Sequence, residues 1–190
     1  MSSNGMTTTN TTTTPVPRGR AARDKAAAHA FPELTITSCD RPITILIVDD
    51  DPDCRMLIRD AIAECKVSND VHEVSTGEEA LEFLNRRGKY ATAPRPGLVY
   101  LDIEMPGING LETLRQIRDK ADLREIPVVM MTGVCGEEEM RRAAEYGANS
   151  YTVKPANAEQ FLRTVLASTT YWLTIHQQPE RHMDPKLARR

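Results

Sequence analysis

The sequence predicts an α/β protein, an open parallel sheet with helices on both faces. Three observations carry this. Apolar runs of strand length recur at residues 43–48, 98–101 and 126–131, the pattern of strands buried on both faces of a parallel sheet. Stretches with apolar residues at helical spacing follow them, as βαβ units require. Each run also ends abruptly in a side chain able to do chemistry, at the strand tip where open α/β sheets place their sites.

The first strand, residues 43–48, ends in Asp49-Asp50-Asp51. Asp51 precedes Pro52, and Asp at the N-cap with Pro at the first helical position is a common helix start. Cys54, Leu57, Ile58, Ala61, Ile62 and Cys65 then recur at helical spacing, which gives the helix one buried face. Asp51 is thus structural, and Asp49 and Asp50 have no local explanation. Two adjacent carboxylates repel one another, and a bound cation would offset that cost.

A second strand follows at residues 71–75 after the turn Asn69-Asp70, then a helix over 77–87 with Ala80, Leu81 and Leu84 inward. His72 is a lone histidine in that strand and is assigned no catalytic role. Residues 88–97 form a connection longer than the usual two to six residues. The third strand ends at Asp102, and Pro106-Gly107 turns the chain before Asn109 caps a helix carrying Leu111, Leu114 and Ile117. The fourth strand delivers Thr132, and a helix over 137–146 follows with Met140, Ala143 and Ala144 inward. Residues 149–153 form the fifth strand, which delivers Lys154 and Pro155, and the last helix runs over residues 158–176.

Composition narrows the class. Of 24 Lys and Arg and 27 Asp and Glu, residues 1–41 hold five and three, and residues 179–190 hold four and two. Residues 42–178 keep 15 against 22, a net −7, which argues against nucleic acid as a partner. No apolar run approaches the ~20 residues of a membrane span, and no apolar h-region opens the chain, so a cytoplasmic protein with no membrane partner is expected. Cys39, Cys54, Cys65 and Cys135 show no CxxC spacing and read as reduced thiols. Residues 1–41 open with a Thr-rich tract and read as a disordered arm, residues 42–178 as the folded domain, and residues 179–190 as a short basic tail.

Four strand tips thus carry Asp49/Asp50, Asp102, Thr132 and Lys154. The set suits phosphoryl chemistry on a carboxylate. Asp102 would attack phosphorus and form an acyl phosphate. Asp50 and Asp102 would hold Mg²⁺ (or Mn²⁺), with Asp49 acting through a water, because magnesium keeps several waters and binds few carboxylates. The metal would neutralise phosphoryl oxygens that otherwise repel the nucleophile. Lys154 would pair with a second oxygen as a point charge, and Thr132 would donate a hydrogen bond to a third.

The residues Val48-Asp49-Asp50-Asp51-Pro52, Leu101-Asp102-Ile103-Glu104-Met105-Pro106-Gly107, Met131-Thr132-Gly133 and Val153-Lys154-Pro155 resemble the receiver domain of two-component response regulators, over about residues 43–176. The resemblance implies a flavodoxin-like, doubly wound five-stranded sheet of order 2-1-3-4-5, with Asp102 as phosphoacceptor. It implies the backbone carbonyl of Glu104 as a metal ligand and a cis peptide before Pro155. It further implies that Thr132 and Tyr151 rearrange on phosphorylation and remodel the face of the fourth helix, fifth strand and fifth helix. Gly133 stands where the family more often has Ala or Ser, which loosens the switch loop. Glu104 occupies a position that influences how quickly the phosphoryl group is lost in the family.

After residue 176 only a short tail remains, so the expected protein is a single-domain regulator that acts through protein contacts rather than as an enzyme. Its last helix continues into Tyr171-Trp172-Leu173 and Ile175, an apolar, aromatic end that suggests a homodimer interface. The alternative is that Trp172 folds back onto its own domain. With the Ala93-Pro94-Arg95-Pro96 loop, this ending is similar to stand-alone regulators paired with bacterial phytochrome kinases. The implied partner is a sensor histidine kinase of that type, or a phosphotransfer protein. Two other readings compete. A haloacid-dehalogenase-type phosphatase uses the same residue types, but with the nucleophile on the first strand and the acidic pair last, the reverse of the order here. A constitutive dimeric interaction module with vestigial phosphorylation would keep the fold and bind partners regardless of phosphorylation.

Overall fold

The computed structural model describes residues 43–64, 69–134 and 136–172. The predicted arm at 1–41, the tail at 179–190, and Leu173 and Ile175 lie outside the described residues. Five parallel strands form one sheet in the order β2-β1-β3-β4-β5, as the resemblance implies. They are β1 (Thr44–Val48), β2 (Asp70–Val74), β3 (Leu98–Asp102), β4 (Val128–Thr132) and β5 (Ser150–Val153). The helices are α1 (Pro52–Ala63), α2 (Gly77–Leu84), α3 (Gly110–Arg118), α4 (Glu137–Glu145) and α5 (Ala158–Thr170), and a 3-10 turn spans Gly88–Tyr90.

The strand sequences explain the layering. Every residue of β3 and β4 is buried, because helices cover both faces of the central strands. Side chains alternate across the sheet. Leu46, Val48, Val99 and Leu101 pack with α2 and α3 residues such as Phe83, Leu111 and Leu114. Ile45, Ile47, Leu98 and Tyr100 pack with Ile58 and Ile62 of α1 and with Phe161 and Val165 of α5. Four helix starts are capped by side chains: Asp51, Thr76, Asn109 and Asn157 accept from the N–H of Asp53, Glu79, Glu112 and Gln160. His72 pairs with Asp70 at 2.9 Å and lies against the Phe83 ring, a local role as anticipated.

Three expectations need correction. On α4 only Ala143 is buried; Ala144 is exposed and Met140 is 40% exposed. This nine-residue helix opens on three glutamates and lies toward the β5 edge, so one small residue suffices to seat it. The predicted α2 ends at Leu84 rather than Arg87, because Arg86 adopts a left-handed φ of 53° that no helix continues. The Lys154-Pro155 peptide is trans, since the described residues contain no cis bond. The two isomers of an X-Pro bond differ by only ~0.5–1 kcal/mol, so neighbouring contacts decide between them. Here Lys154 extends the β4–β5 ladder, its N–H donating to the Thr132 carbonyl at 2.6 Å.

At the end of α5, Tyr171 is 46% exposed and meets Trp172 edge-to-face at 5.2 Å. Trp172 itself is half-buried against the core on the α1/α5 side, so it folds back onto its own domain while Tyr171 faces outward. One polar link crosses this core. The buried Tyr100 hydroxyl lies 2.7 Å from the Thr169 hydroxyl and donates to Ser168 Oγ at 3.3 Å. Tyr100→Phe leaves the buried Thr169 hydroxyl without this partner, and an unsatisfied buried group costs about 1–3 kcal/mol. Urea denaturation of the variant should therefore show a lower midpoint with an unchanged slope.

Candidate functional site

The parallel register assembles the site. Val48 pairs with Leu101 across β1 and β3, so Asp49 and Asp102 leave the sheet side by side. Asp102 pairs with Met131 across β3 and β4, and Thr132 with Val153 across β4 and β5, which brings Thr132 and Lys154 to the same edge. Oxygens of Asp49, Asp50 and Asp102 lie within 4.8 Å of one another. Asp49 and Asp102 are buried, at 1% and 4% exposure, and Asp50 is exposed, so the cluster opens to solvent on the Asp50 side.

The side chains divide the roles unequally. Asp49 is fully engaged: Oδ1 accepts from the Asp51 N–H at 3.0 Å and Oδ2 from Lys154 Nζ at 2.6 Å. The Asp49 carbonyl accepts from the Arg55 guanidinium at 2.6 Å, and that guanidinium also lies 3.4 Å from Glu73. Lys154 Nζ sits 2.8 Å from Asp102 Oδ1, but at an angle outside hydrogen-bond geometry, so this buried oxygen has an ion-pair neighbour and no hydrogen bond. A buried carboxylate oxygen left in that condition, among two further carboxylates, is a donor set that fits a hard divalent cation. Asp49, Asp50 and Asp102 are the residues to hold it.

The electrostatics agree with this. Burial pushes the Asp102 carboxyl up to about 6; the Lys154 ammonium opposes the shift, and Asp49 and Asp50 reinforce it. Burial pulls Lys154 down, but the Asp102 and Asp49 carboxylates outweigh it and hold the ammonium up at about 12. One cation is shared between two carboxylates, which is why Lys154 gains while Asp102 is left short of positive charge. Cys54, beside the cluster, is pushed up to about 11 mainly by burial, so it is a neutral thiol at neutral pH. Asp51 caps α1 as the sequence implies, and its carboxyl is lowered chiefly by the Asp53 N–H.

Thr132 is at the predicted tip but already occupied. Its hydroxyl donates to the Val134 carbonyl at 3.1 Å and accepts from the Val134 N–H at 3.2 Å. The Tyr151 hydroxyl reaches the same carbonyl at 3.5 Å, the outer limit of a hydrogen bond. The Val134 peptide is therefore common ground for the two residues singled out as a pair. Glu104 is exposed, and its carboxylate lies over Gly133, where an added Cβ would stand 3.6 Å from Glu104 Oε2. Arg55 and the Val134 peptide were not singled out from sequence. Arg55 reads there as one more charged position on a helix, and a backbone carbonyl leaves no residue-type signature.

Residues 45–166 match the response regulator receiver domain. The chain belongs to the response regulator receiver family. Response regulator Rcp1 of Synechocystis sp. is 30% identical over 132 residues, which cover 70% of this chain and 90% of Rcp1. Two solved structures share the receiver fold. The Mn²⁺-bound form of Rcp1 aligns with a TM-score of 0.70 at 29% identity, over 73% of this chain and all of that one. The phosphorylated cyanobacterial phytochrome response regulator RcpA aligns with a TM-score of 0.71 at 31% identity, over 74% of this chain and all of that one. Both show the flavodoxin-like receiver architecture found here. Among the described residues no helix is long and apolar enough to cross a membrane.

A raised Asp102 makes stability depend on pH in a definite direction. The folded protein holds this proton up to about 6 and the unfolded chain releases it near 3.8, so this group lowers stability as pH rises through that window. Lys154 depends on pH in the same sense but in a higher window: its stabilisation is present up to about 10.5 and is lost as pH rises toward 12. Without divalent metal, Asp102→Asn should therefore stabilise the receiver by about 1–3 kcal/mol at pH 8, with the gain vanishing near pH 4. Thermal unfolding at the two pH values checks this, and added Mg²⁺ should favour the wild type instead.

Proposed function

We propose that this receiver is a phosphorylation-switched signalling protein whose Asp102 takes a phosphoryl group from the phosphohistidine of a sensor histidine kinase. The observation that supports it most directly is the buried Asp102 oxygen, which lies 2.8 Å from Lys154 and without a hydrogen bond, inside a three-carboxylate cluster. In the transfer, an Asp102 oxygen attacks phosphorus, the P–N bond to imidazole breaks, and the imidazole nitrogen leaves with the bonding electron pair. The protein is the phosphoacceptor and, in this reading, has no separate substrate to turn over.

The residues take distinct parts. Asp50, Asp102 and the Glu104 carbonyl would hold Mg²⁺, with Asp49 acting through a water, and the ion would supply positive charge that lets an anionic phosphoryl donor approach. The engagement of both Asp49 oxygens by Lys154 and the Asp51 N–H favours that outer role. Lys154 is already in place to pair with a phosphoryl oxygen. Thr132 must release the Val134 peptide to donate to another. Tyr151 lies near that same carbonyl, so the release would be felt on α4, β5 and α5. The names of two solved neighbours, a cyanobacterial phytochrome response regulator and a bacteriophytochrome response regulator, support a kinase of phytochrome type as donor. A homodimer as the working unit rests on the exposed Tyr171 at the end of α5.

Incubation with acetyl phosphate and Mg²⁺ should add one phosphoryl group by intact mass, and Asp102→Asn should abolish it. Labelling that survives in the variant, once rapid hydrolysis is excluded with beryllofluoride, would place the acceptor elsewhere. For the dimer, the outward Tyr171 is a better probe than Trp172, which is half-buried against its own core. Tyr171→Ala should lower the sedimentation mass average toward the monomer, and an unchanged mass removes this helix end from the interface.

A further inference from the structure

The turn that leaves the acceptor strand is held from outside by one carboxylate. Between Asp102 and α3 the chain folds back on its own strand end, with the Met105 and Gly110 N–H groups both donating to the Ile103 carbonyl, at 3.2 and 3.0 Å. The far side of the turn has no strand neighbour. There Glu78, in the first turn of α2 and 30 residues earlier in the chain, accepts from the Ile108 N–H at 3.0 Å through Oε1. The same oxygen lies over Gly107, whose φ is +77°, and a Cβ there would stand 2.7 Å from it. The carboxylate thus fills the space that a side chain at 107 would take. Beneath it Gly77 packs closely, and a Cβ at 77 would clash first with Thr113 Oγ1 and come within 2.5 Å of the Ile108 carbonyl.

These contacts form a brace. The Ile108 N–H helps hold the Glu78 carboxyl below the usual range, after the larger effect of its own backbone N–H, so it is ionised at neutral pH and accepts as an anion. Glu78 is exposed and lies outside the carboxylate cluster, its carboxylate turned to the Ile108 N–H. What it touches is the Gly107-Ile108 peptide, in the same turn that begins at Glu104.

Resting on the receiver reading above, we infer that Glu78 is a positioning residue for the metal-binding rim, holding the Glu104 segment in place through the Ile108 N–H. The role needs an oxygen acceptor at this point and not merely a negative charge on α2. Gln at 78 keeps such an acceptor, whereas Ala removes it. Glu82, exposed on the same helix, offers a charge control that lies away from the turn.

The test is calorimetric titration of the full chain with Mn²⁺, alongside hydrogen exchange at the Ile108 amide. Glu78→Ala should weaken Mn²⁺ binding about tenfold, at the low end of what loss of an outer-shell partner costs, and should speed exchange at Ile108. Glu78→Gln should stay close to wild type, and so should Glu82→Ala. A purely structural part for Glu78 would lower the melting temperature and leave the Mn²⁺ affinity alone. Unchanged affinity in Glu78→Ala, or an equal loss in Glu82→Ala, overturns the inference while the receiver reading stands. A wild-type chain that binds no Mn²⁺ overturns both.

Discussion

Three carboxylates within 4.8 Å of one another, two of them buried, set the terms for this molecule. Such a cluster is unfavourable by itself: burial disfavours each charge and the neighbours disfavour it further. Only a rigid frame can hold it, and the parallel sheet supplies one. Asp49 and Asp102 leave adjacent strands, and the single cation that answers them, Lys154, arrives from the far edge strand 105 residues after Asp49. The compensation is incomplete. Lys154 hydrogen-bonds Asp49 and neighbours Asp102, and burial, which Lys154 opposes and Asp49 and Asp50 reinforce, raises the Asp102 carboxyl to about 6. The residue left least satisfied is Asp102, the proposed acceptor.

Around that centre the structure separates what is fixed from what has an alternative. Asp49 is fixed by Lys154, the Asp51 N–H and, through its carbonyl, Arg55. The acceptor strand is tied to α5 by the Tyr100–Thr169 bond, so the helix end that carries Tyr171 shares a core with Asp102. Thr132 is different. Its hydroxyl bonds only the Val134 peptide two residues on, in a loop flanked by Gly133 and Gly136, a local contact worth about 1 kcal/mol net. A bond that weak can be exchanged for one to an anion, which is worth more. Tyr151, 3.5 Å from the same carbonyl, is placed to register the exchange.

The strands and their tips were legible because a buried parallel strand must be apolar throughout, so the first polar residue after each run marks its end. Asp49, Asp102 and Thr132 announce themselves this way, whereas Lys154 follows the mixed, half-exposed run Ser150–Val153; the cap at Asp51 follows from Asp-Pro alone. Periodicity served less well at α4, where Met140 and Ala144 have the right spacing yet only Ala143 is buried. Spacing gives a face; how deeply that face is covered depends on what lies beneath, and near a sheet edge there is little. The trans Lys154-Pro155 bond was illegible for a related reason, since a preference of ~0.5–1 kcal/mol is decided by contacts rather than by the dipeptide. The Glu78–Ile108 bond joins an exposed surface carboxylate to a backbone N–H, and neither end carries a motif.

If the proposed function holds, charge accounting gives a reason for the site to need a mobile hydroxyl as well as fixed charges. With Asp102 ionised, three carboxylates, one lysine and one divalent cation sum to zero, a state that a buried site can tolerate. Phosphorylation replaces the single charge of Asp102 by about two negative charges on the phosphoryl oxygens, so the site becomes anionic by about one. Among the described residues the nearest further cation is Arg55, which is engaged by the Asp49 carbonyl and Glu73. Dipolar donors must answer the excess, and the nearest side-chain O–H on the sheet edge is that of Thr132, now spent on the Val134 peptide. Drawing it inward frees the Val134 carbonyl, which then has the Gly136 N–H and the Tyr151 hydroxyl as its remaining donors. In this account the movement of the β4–α4 loop follows from the electrostatics of a site that is neutral before phosphorylation and is not neutral after it.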